Sequence, residues 1–245
     1  MYQSPVAAIA ELISNSWDAD AERVEVTLPS KAEHGAVIII KDDGNGMAFD
    51  DCQNKYLNVG YDCRDGVATA KSAKKNRPVL GRKGIGKFAG FGIAQRMVVD
   101  TISNKTGERT VFDLGLAELR GSNYIEQGGD IPVTEYSGPT EDLKKMKGTT
   151  ITLHELSLQR AQNAGVFARS MSRRFLPAQR ADDFRILVNG VPIPEDSDIE
   201  KAEFVFPKDY EESQKPTGLV IDEDGWGNGG RWQGEDGSLA VSLPP

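Results

Sequence analysis

Apolar residues recur at helical spacing near the start of the chain. Val6, Ile9, Ala10, Ile13 and Trp17 fall on one face of a helix over residues 4–17, with Ser4 placed to cap it and Pro5 suited to its first position. The period then changes. Val24, Val26 and Leu28 alternate as in a strand over 23–28, and the apolar run at 36–41 predicts a second, more buried strand. That strand runs straight into Asp42-Asp43-Gly44-Asn45-Gly46-Met47. A short helix over 49–56 precedes a long polar, lysine-rich stretch at 60–82. Residues 81–92 are punctuated by glycine and open a helix predicted to reach about Gln95. Strands follow at 97–103, 109–114 and 149–153, with a turn at 104–107, whereas 121–147 reads as loop. An amphipathic helix is predicted over 158–175, and Asn189-Gly190 turns a strand at 185–188 into 191–193 as a hairpin. Beyond about Phe204 the composition shifts. Residues 222–237 are rich in Gly, Asp and Glu, and read as an exposed loop or the edge of an incomplete second unit in which Trp226 and Trp232 pack.

Composition narrows the class. The chain has 245 residues, 38% of them apolar and 27% charged, which describes a globular chain able to bury a core. No run approaches the roughly 18 apolar residues of a membrane span, and the N-terminal stretch lacks the basic region of a secretory signal, so a soluble, cytoplasmic protein is expected. Cys52, Cys63, His34 and His154 are too few for a disulfide framework or a zinc cluster. A net charge of −8 argues against a surface coated for nucleic acid, yet Lys71, Lys74, Lys75, Arg77, Arg82, Lys83 and Lys87 form a local basic run with no acid among them. Alone, such a run describes a solvated loop.

Four short constellations carry candidate chemistry. Glu11, Asn15 and Asp18 stand at i, i+4 and i+7, so a helix presents them on one face. A carboxamide oxygen there can hold a hard cation, and a carboxylate can orient or deprotonate a water. In Asp42-Asp43-Gly44-Asn45-Gly46-Met47, glycines permit positive φ and close approach of a flat ligand, while a fixed carboxylate can accept from an exocyclic amine. The segment Gly81-Arg82-Lys83-Gly84-Ile85-Gly86-Lys87-Phe88-Ala89 places glycine amides and lysines at a helix start, as an anion site requires. It fits the G-x-x-x-x-G-K of a P-loop, but Phe88 stands where Ser or Thr belongs and no good strand precedes it. The dinucleotide fingerprint fails for the same lack of a strand. Gly148-Thr149-Thr150 entering a strand signifies little alone.

Taken in this order, the four constellations resemble the motifs of the GHKL ATPases, the family of gyrase, the heat-shock chaperone, histidine kinases and MutL. The resemblance covers residues 4–155 well and 156–194 more loosely. It implies the Bergerat fold, an α/β (α+β) two-layer sandwich with helices on one face of a mixed sheet. It further implies ATP and Mg2+ as ligands, with an ATP-binding domain over 1–200, a lid at about 60–87, and 201–245 as the start of a transducer-like unit or a flexible tail. By resemblance Glu11 is the general base and Asn15 the magnesium ligand, with Asp18 lining the site. Asp42 reads the adenine amine assisted by Thr149, and Gly44, Gly46 and Met47 shape the base pocket. Gly81, Gly84, Ile85, Gly86 and Lys87 hold the phosphates from the lid side. Glu11 sets the chain apart from the histidine kinases and favours a hydrolase, closest to MORC-like, MutL-like and chaperone-like bacterial ATPases. The lysine that a following transducer domain supplies in relatives is not identifiable among Lys201, Lys208 and Lys215, so slow or absent turnover of the isolated chain is expected. ATP-dependent homodimerisation is implied, DNA is the leading partner candidate through the basic lid, and a protein partner is unspecified. The alternative is a nucleotide-switched DNA- or protein-binding module with little intrinsic hydrolysis.

Overall fold

Helix α1 spans Pro5–Asp18 in the computed structural model, which describes residues 4–56, 71–80, 86–120, 133–158, 160–175, 178, 183–194, 231–233 and 239–242. Pro5 occupies its first turn, where a missing N–H costs nothing, and Ser4 is extended ahead of it without a capping side-chain bond. The helix buries Ala8, Ile9, Leu12, Ile13 and Trp17 and leaves Glu11, Asn15 and Asp18 half-buried.

The chain divides into two compact units, Met1–Ile199 and Glu200–Pro245. In the first, strands β1 (Arg23–Thr27), β2 (Ile38–Asp42), β3 (Ala94–Ile102), β4 (Arg109–Gly115), β5 (Val133–Ser137), β6 (Gly148–Leu156), β7 (Arg185–Val188) and β8 (Val191–Pro192) form one mixed sheet. Their order is β5-β4-β3-β6-β2-β1-β7-β8. The β1/β7 pair is parallel and the other neighbours are antiparallel. Register lines up the inward side chains in rows. Ile38, Leu153, Met97 and Leu114 make one, and Val26, Ile40, Ile151, Val99 and Phe112 the next. One step further the row is Val24, Asp42, Thr149, Thr101 and Thr110, so the core face turns polar at one end of the sheet. On the opposite face Arg109 pairs with Asp100 and Glu135, and Arg96 with Asp113, as a solvated face should.

Helices complete the second layer around a single apolar core. A 3₁₀-helix (Gly86–Gly92) packs against α1, and a further helix (Ala164–Arg174) buries Phe167 and Met171. Short helices α2 (Phe49–Asp51), α3 (Leu116–Arg120) and α4 (Glu141–Lys145) precede that last one, here α5, and α2 runs on into a π-turn (Cys52–Tyr56). The architecture is the expected α/β arrangement of a mixed sheet with packed helices.

Three boundaries differ from expectation. The glycine-rich helix stops at Gly92, because Ala94 already pairs with Leu156 of β6. Helix α5 begins only at Ala164, where Asn163 Oδ1 accepts the Val166 N–H at 3.0 Å and fixes the start. Within the stretch read as loop lie β5 and α4, the latter capped by Thr140. The second unit contains, among the described residues, an antiparallel pair, β9 (Arg231–Gln233) and β10 (Leu239–Ser242). No helix among the described residues is long and apolar enough to cross a membrane.

Candidate functional site

Asp42 ends β2 with its carboxylate held on one edge by the chain. Its Oδ1 accepts the N–H of Gly44 at 2.9 Å and of Thr149 at 3.2 Å, and Oδ2 accepts from Ser16 Oγ at 2.9 Å. Among the described residues no cationic side chain pairs with it. Burial therefore pushes the Asp42 carboxyl up to about 6, although the Gly44, Ser16 and Thr149 hydrogen bonds each favour the ionised form. Thr101, fully buried on β3, lies across from Thr149 with hydroxyl oxygens 3.1 Å apart, and its Oγ1 accepts the Met47 N–H at 3.0 Å. Thr101 is missed by motif reading because it sits in an ordinary alternating strand. Its one sequence signal is a threonine at an inward position.

The glycines of this loop behave differently from expectation. Gly46 has the positive φ (+59°) foreseen for it, but a Cβ there would meet the Ile102 carbonyl oxygen at 1.8 Å. The close approach is thus to the protein's own backbone. At Gly148 φ is +135° and a Cβ would stand 2.1 Å from the Asp42 carbonyl oxygen, so the first residue of Gly148-Thr149-Thr150 lets β6 dock on β2. Lys147 Nζ donates to the Asp43 carbonyl, and Asn45 is tied to Ala19, Asp20 and Asn104. The loop is pinned from three sides.

Glu11 and Asn15 project from α1 toward Gly86. A Cβ on Gly86 would lie 3.2 Å from Glu11 Oε2 and 3.8 Å from Asn15 Oδ1, so the start of the 3₁₀-helix closes over both side chains. Among the described residues the Nδ2 of Asn15 is buried without a hydrogen-bond partner, a donor that a ligand or water can satisfy. Among the described residues no three His, Cys, Asp or Glu groups converge as a metal cage. A single amide oxygen beside a carboxylate instead suits a hard cation that arrives on a phosphate and keeps most of its own water. Asp18, the third member of the stripe, has Oδ1 accepting the Leu80 N–H at 2.7 Å. The Lys87 ammonium sits 5.7 Å from the Tyr56 ring centroid and 5.6 Å from that of Phe88. Gly81, Gly84 and Ile85 lie outside the described residues, as do Arg82, Lys83 and residues 57–70 of the expected lid.

The basic run is not a uniformly solvated stripe. Residues 71–80 form a small hairpin-like segment in which Ser72 and Arg77 exchange hydrogen bonds. Arg77 is buried: its guanidinium lies 4.3 Å over the Trp17 ring, donates to the carbonyls of Ala21 and Asp183, and pairs with the Asp183 carboxylate at 2.8 Å. Lys75 bridges Glu22 and Asp183, each at 3.0 Å. Asp20 accepts the N–H groups of Lys74 and Lys75. Burial alone would raise its carboxyl, but these bonds, with Ser72 and Asn45, hold it below the usual range. Lys71 and Lys74 stay exposed, so only part of the run is available to an external anion.

Comparison with known proteins identifies the family. The family model for histidine kinase-, DNA gyrase B-, and HSP90-like ATPases matches residues 2–149. A Herpetosiphon aurantiacus protein described as a candidate type II restriction enzyme, HgiDII, is 31% identical over 196 residues, covering 79% of this chain. The chain spans 30% of the length of that relative. Among solved structures, the ATPase region of Saccharomyces cerevisiae topoisomerase II aligns with a TM-score of 0.47 and 17% identity, over 77% of this chain and 48% of that one. The ATPase and transducer domains of Balamuthia mandrillaris topoisomerase II align with a TM-score of 0.46 and 15% identity, over 78% and 48%.

Proposed function

The chain belongs to the histidine kinase-, DNA gyrase B- and HSP90-like ATPases, and from that premise we propose that it binds ATP with Mg2+ and hydrolyses it with a water activated by Glu11. One observation carries the reading: a buried carboxylate, Asp42, without a cationic partner among the described residues, whose Oδ2 retains a lone pair for a ligand's amine. Thr149 and Thr101 supply hydroxyls beside it for the edge of the same base. Asn15 Oδ1 would hold the magnesium ion and its orphaned Nδ2 would donate to a phosphate oxygen. Bound there, the ion would screen phosphate charge as the terminal phosphoryl is attacked. Glu11, beside Asn15 and facing Gly86, would take the water's proton. The nucleotide-binding unit is read as residues 1–200, with 201–245 beginning a transducer-like unit, and closure around nucleotide would favour pairing of two copies.

The test is phosphate release from Mg·ATP alongside nucleotide binding by calorimetry. Glu11→Ala should abolish release and leave binding intact, whereas unchanged turnover in that variant would refute the assignment.

A second reading makes the domain a nucleotide switch within a DNA-acting protein. It rests on the likeness to the HgiDII protein and on exposed Lys71 and Lys74. Duplex DNA added at low salt, where phosphate contacts are strongest, should then raise the Glu11-dependent rate. A rate indifferent to DNA points to a protein partner instead.

A further inference from the structure

Arg174 ends α5, and its Nη2 lies 3.0 Å from Oε1 of Glu11, 163 positions away in sequence. With side chains 46% and 27% exposed, the pair is well screened by water and contributes little to folding. Its effect on geometry is larger. A glutamate on the outward side of a helix has three rotatable side-chain bonds and many rotamers. Arg174 takes one oxygen out of that distribution. The other, Oε2, is not engaged by Arg174 and faces Gly86, where a Cβ would stand 3.2 Å from it.

We propose that Arg174 is a positioning residue for the general base: it holds Oε1 of Glu11 so that Oε2 is presented to the attacking water. This rests on the reading of Glu11 as the base. In the step so positioned, a water O–H bond breaks and its proton passes to Oε2. The water oxygen bonds to the γ-phosphorus as the bond from that phosphorus to the β–γ bridging oxygen breaks. ADP carries away the electron pair, and the proton is released to solvent with phosphate.

The experiment is single-turnover phosphate release with the chain in excess over γ-labelled ATP, with ATP affinity measured in parallel by calorimetry. It compares the unaltered chain with Arg174→Ala, Arg174→Lys, Glu11→Gln and the Glu11→Gln/Arg174→Ala double variant. Arg174→Ala should slow the step by roughly ten- to a hundred-fold, the scale of a misplaced catalytic group, with ATP affinity within about threefold of unaltered. Arg174→Lys should recover most of the rate, because the contact is made through one nitrogen. In the Glu11→Gln background, Arg174→Ala should have no further effect. An Arg174→Ala rate equal to or above the unaltered one overturns the inference. So does a loss that lysine fails to rescue and that multiplies with the Glu11→Gln loss. Failure of the underlying reading is seen separately, with Arg174 intact: Glu11→Gln keeps the unaltered rate, and both proposals fall together.

Discussion

Asp42 should cost the protein stability in order to be useful, and that cost is measurable. Its carboxyl rises from an ordinary 3.8 to about 6 in the folded chain. Because the folded value is the higher one, the native state binds more protons than the unfolded state between those two pH values, and stability falls as pH rises through the window. About two pKa units at ~1.36 kcal/mol each make the ionised group unfavourable by about 3 kcal/mol at pH 7. Asp42→Asn removes the charge and keeps the shape. The amide oxygen can still accept the Gly44 and Thr149 N–H groups, and Ser16 Oγ, which also lies 3.4 Å from the Leu12 carbonyl, can turn to accept from the amide nitrogen. The variant should therefore melt about 6–12 °C above the unaltered chain at pH 7, taking roughly 2–4 °C per kcal/mol for a domain of this size. Near pH 4.5, where the unaltered carboxyl is protonated, the advantage should shrink to about 1 kcal/mol. The same change should remove ATP binding, since the amide's acceptor is claimed by the backbone and its NH2 meets the ligand's amine donor to donor. Scanning calorimetry at the two pH values with calorimetric ATP titration measures all three effects. A variant no more stable at pH 7, or an advantage that does not narrow with acid, would refute the burial argument; intact ATP binding would refute the assignment of the adenine site.

Other substitutions probe the framework. Gly148→Ala places a Cβ 2.1 Å from the Asp42 carbonyl oxygen at positive φ and should destabilise by on the order of 3 kcal/mol, whereas Gly138→Ala, with nothing within 4 Å, should be close to neutral; equal melting points for the two would contradict the docking of β6 on β2. Arg77→Ala breaks a buried cation's contacts and should cost roughly 2–3 kcal/mol, discounted from the ~3–5 of a fully buried pair because Asp183 is 38% exposed; a melting point within 2 °C of the unaltered chain would deny Arg77 its structural role. Gly86→Ala brings a methyl to 3.2 Å from Glu11 Oε2, so phosphate release should fall by about tenfold with little change in melting point, and an unaffected rate would show that Glu11 does not work from this position. The hydrogen bonds that hold the Asp20 carboxyl low contribute stability above its unfolded pKa and lose it as pH falls through the folded one, so Asp20→Asn should narrow the chain's acid sensitivity below about pH 4 in denaturation curves.

Periodicity made most of the sheet legible, because inward residues repeat every second position and the sheet buries one face against helices. It failed where a neighbour overrides the local pattern. Ala94 belongs to a helix by spacing, yet pairing with Leu156 draws it into β3. The basic run misleads for a related reason. Charge alone places Arg77 in water, but Trp17 and Phe184, neither near it in sequence, form an aromatic slot in which a guanidinium is favourable when Asp183 and two carbonyls satisfy its donors.

The site divides along the same line. Asp42 and Thr149 stand 107 positions apart in separate motifs, and the β2/β6 register sets them opposite one another. Each motif was readable by itself, and their meeting was expected only through the family resemblance, not from spacing or periodicity. Thr101 and Arg174 had no motif at all, since one sits inside an alternating strand and the other meets Glu11 through an ion pair made only when α5 docks. The three rows of the sheet explain why the polar residues gather where they do. Two consecutive rows are apolar across β2, β6, β3 and β4, and only the last holds a carboxylate and three threonines, so any ligand group that satisfies Asp42 must enter from that end. Glu11 and Asn15 lie in the other layer, on the side of α1 turned away from its apolar stripe, where Gly86 approaches them. At Gly44, Gly46 and Gly148 an added Cβ would meet backbone oxygens at 2.9, 1.8 and 2.1 Å, so the loop after β2 and the start of β6 keep their close packing around Asp42 only because no side chain stands there.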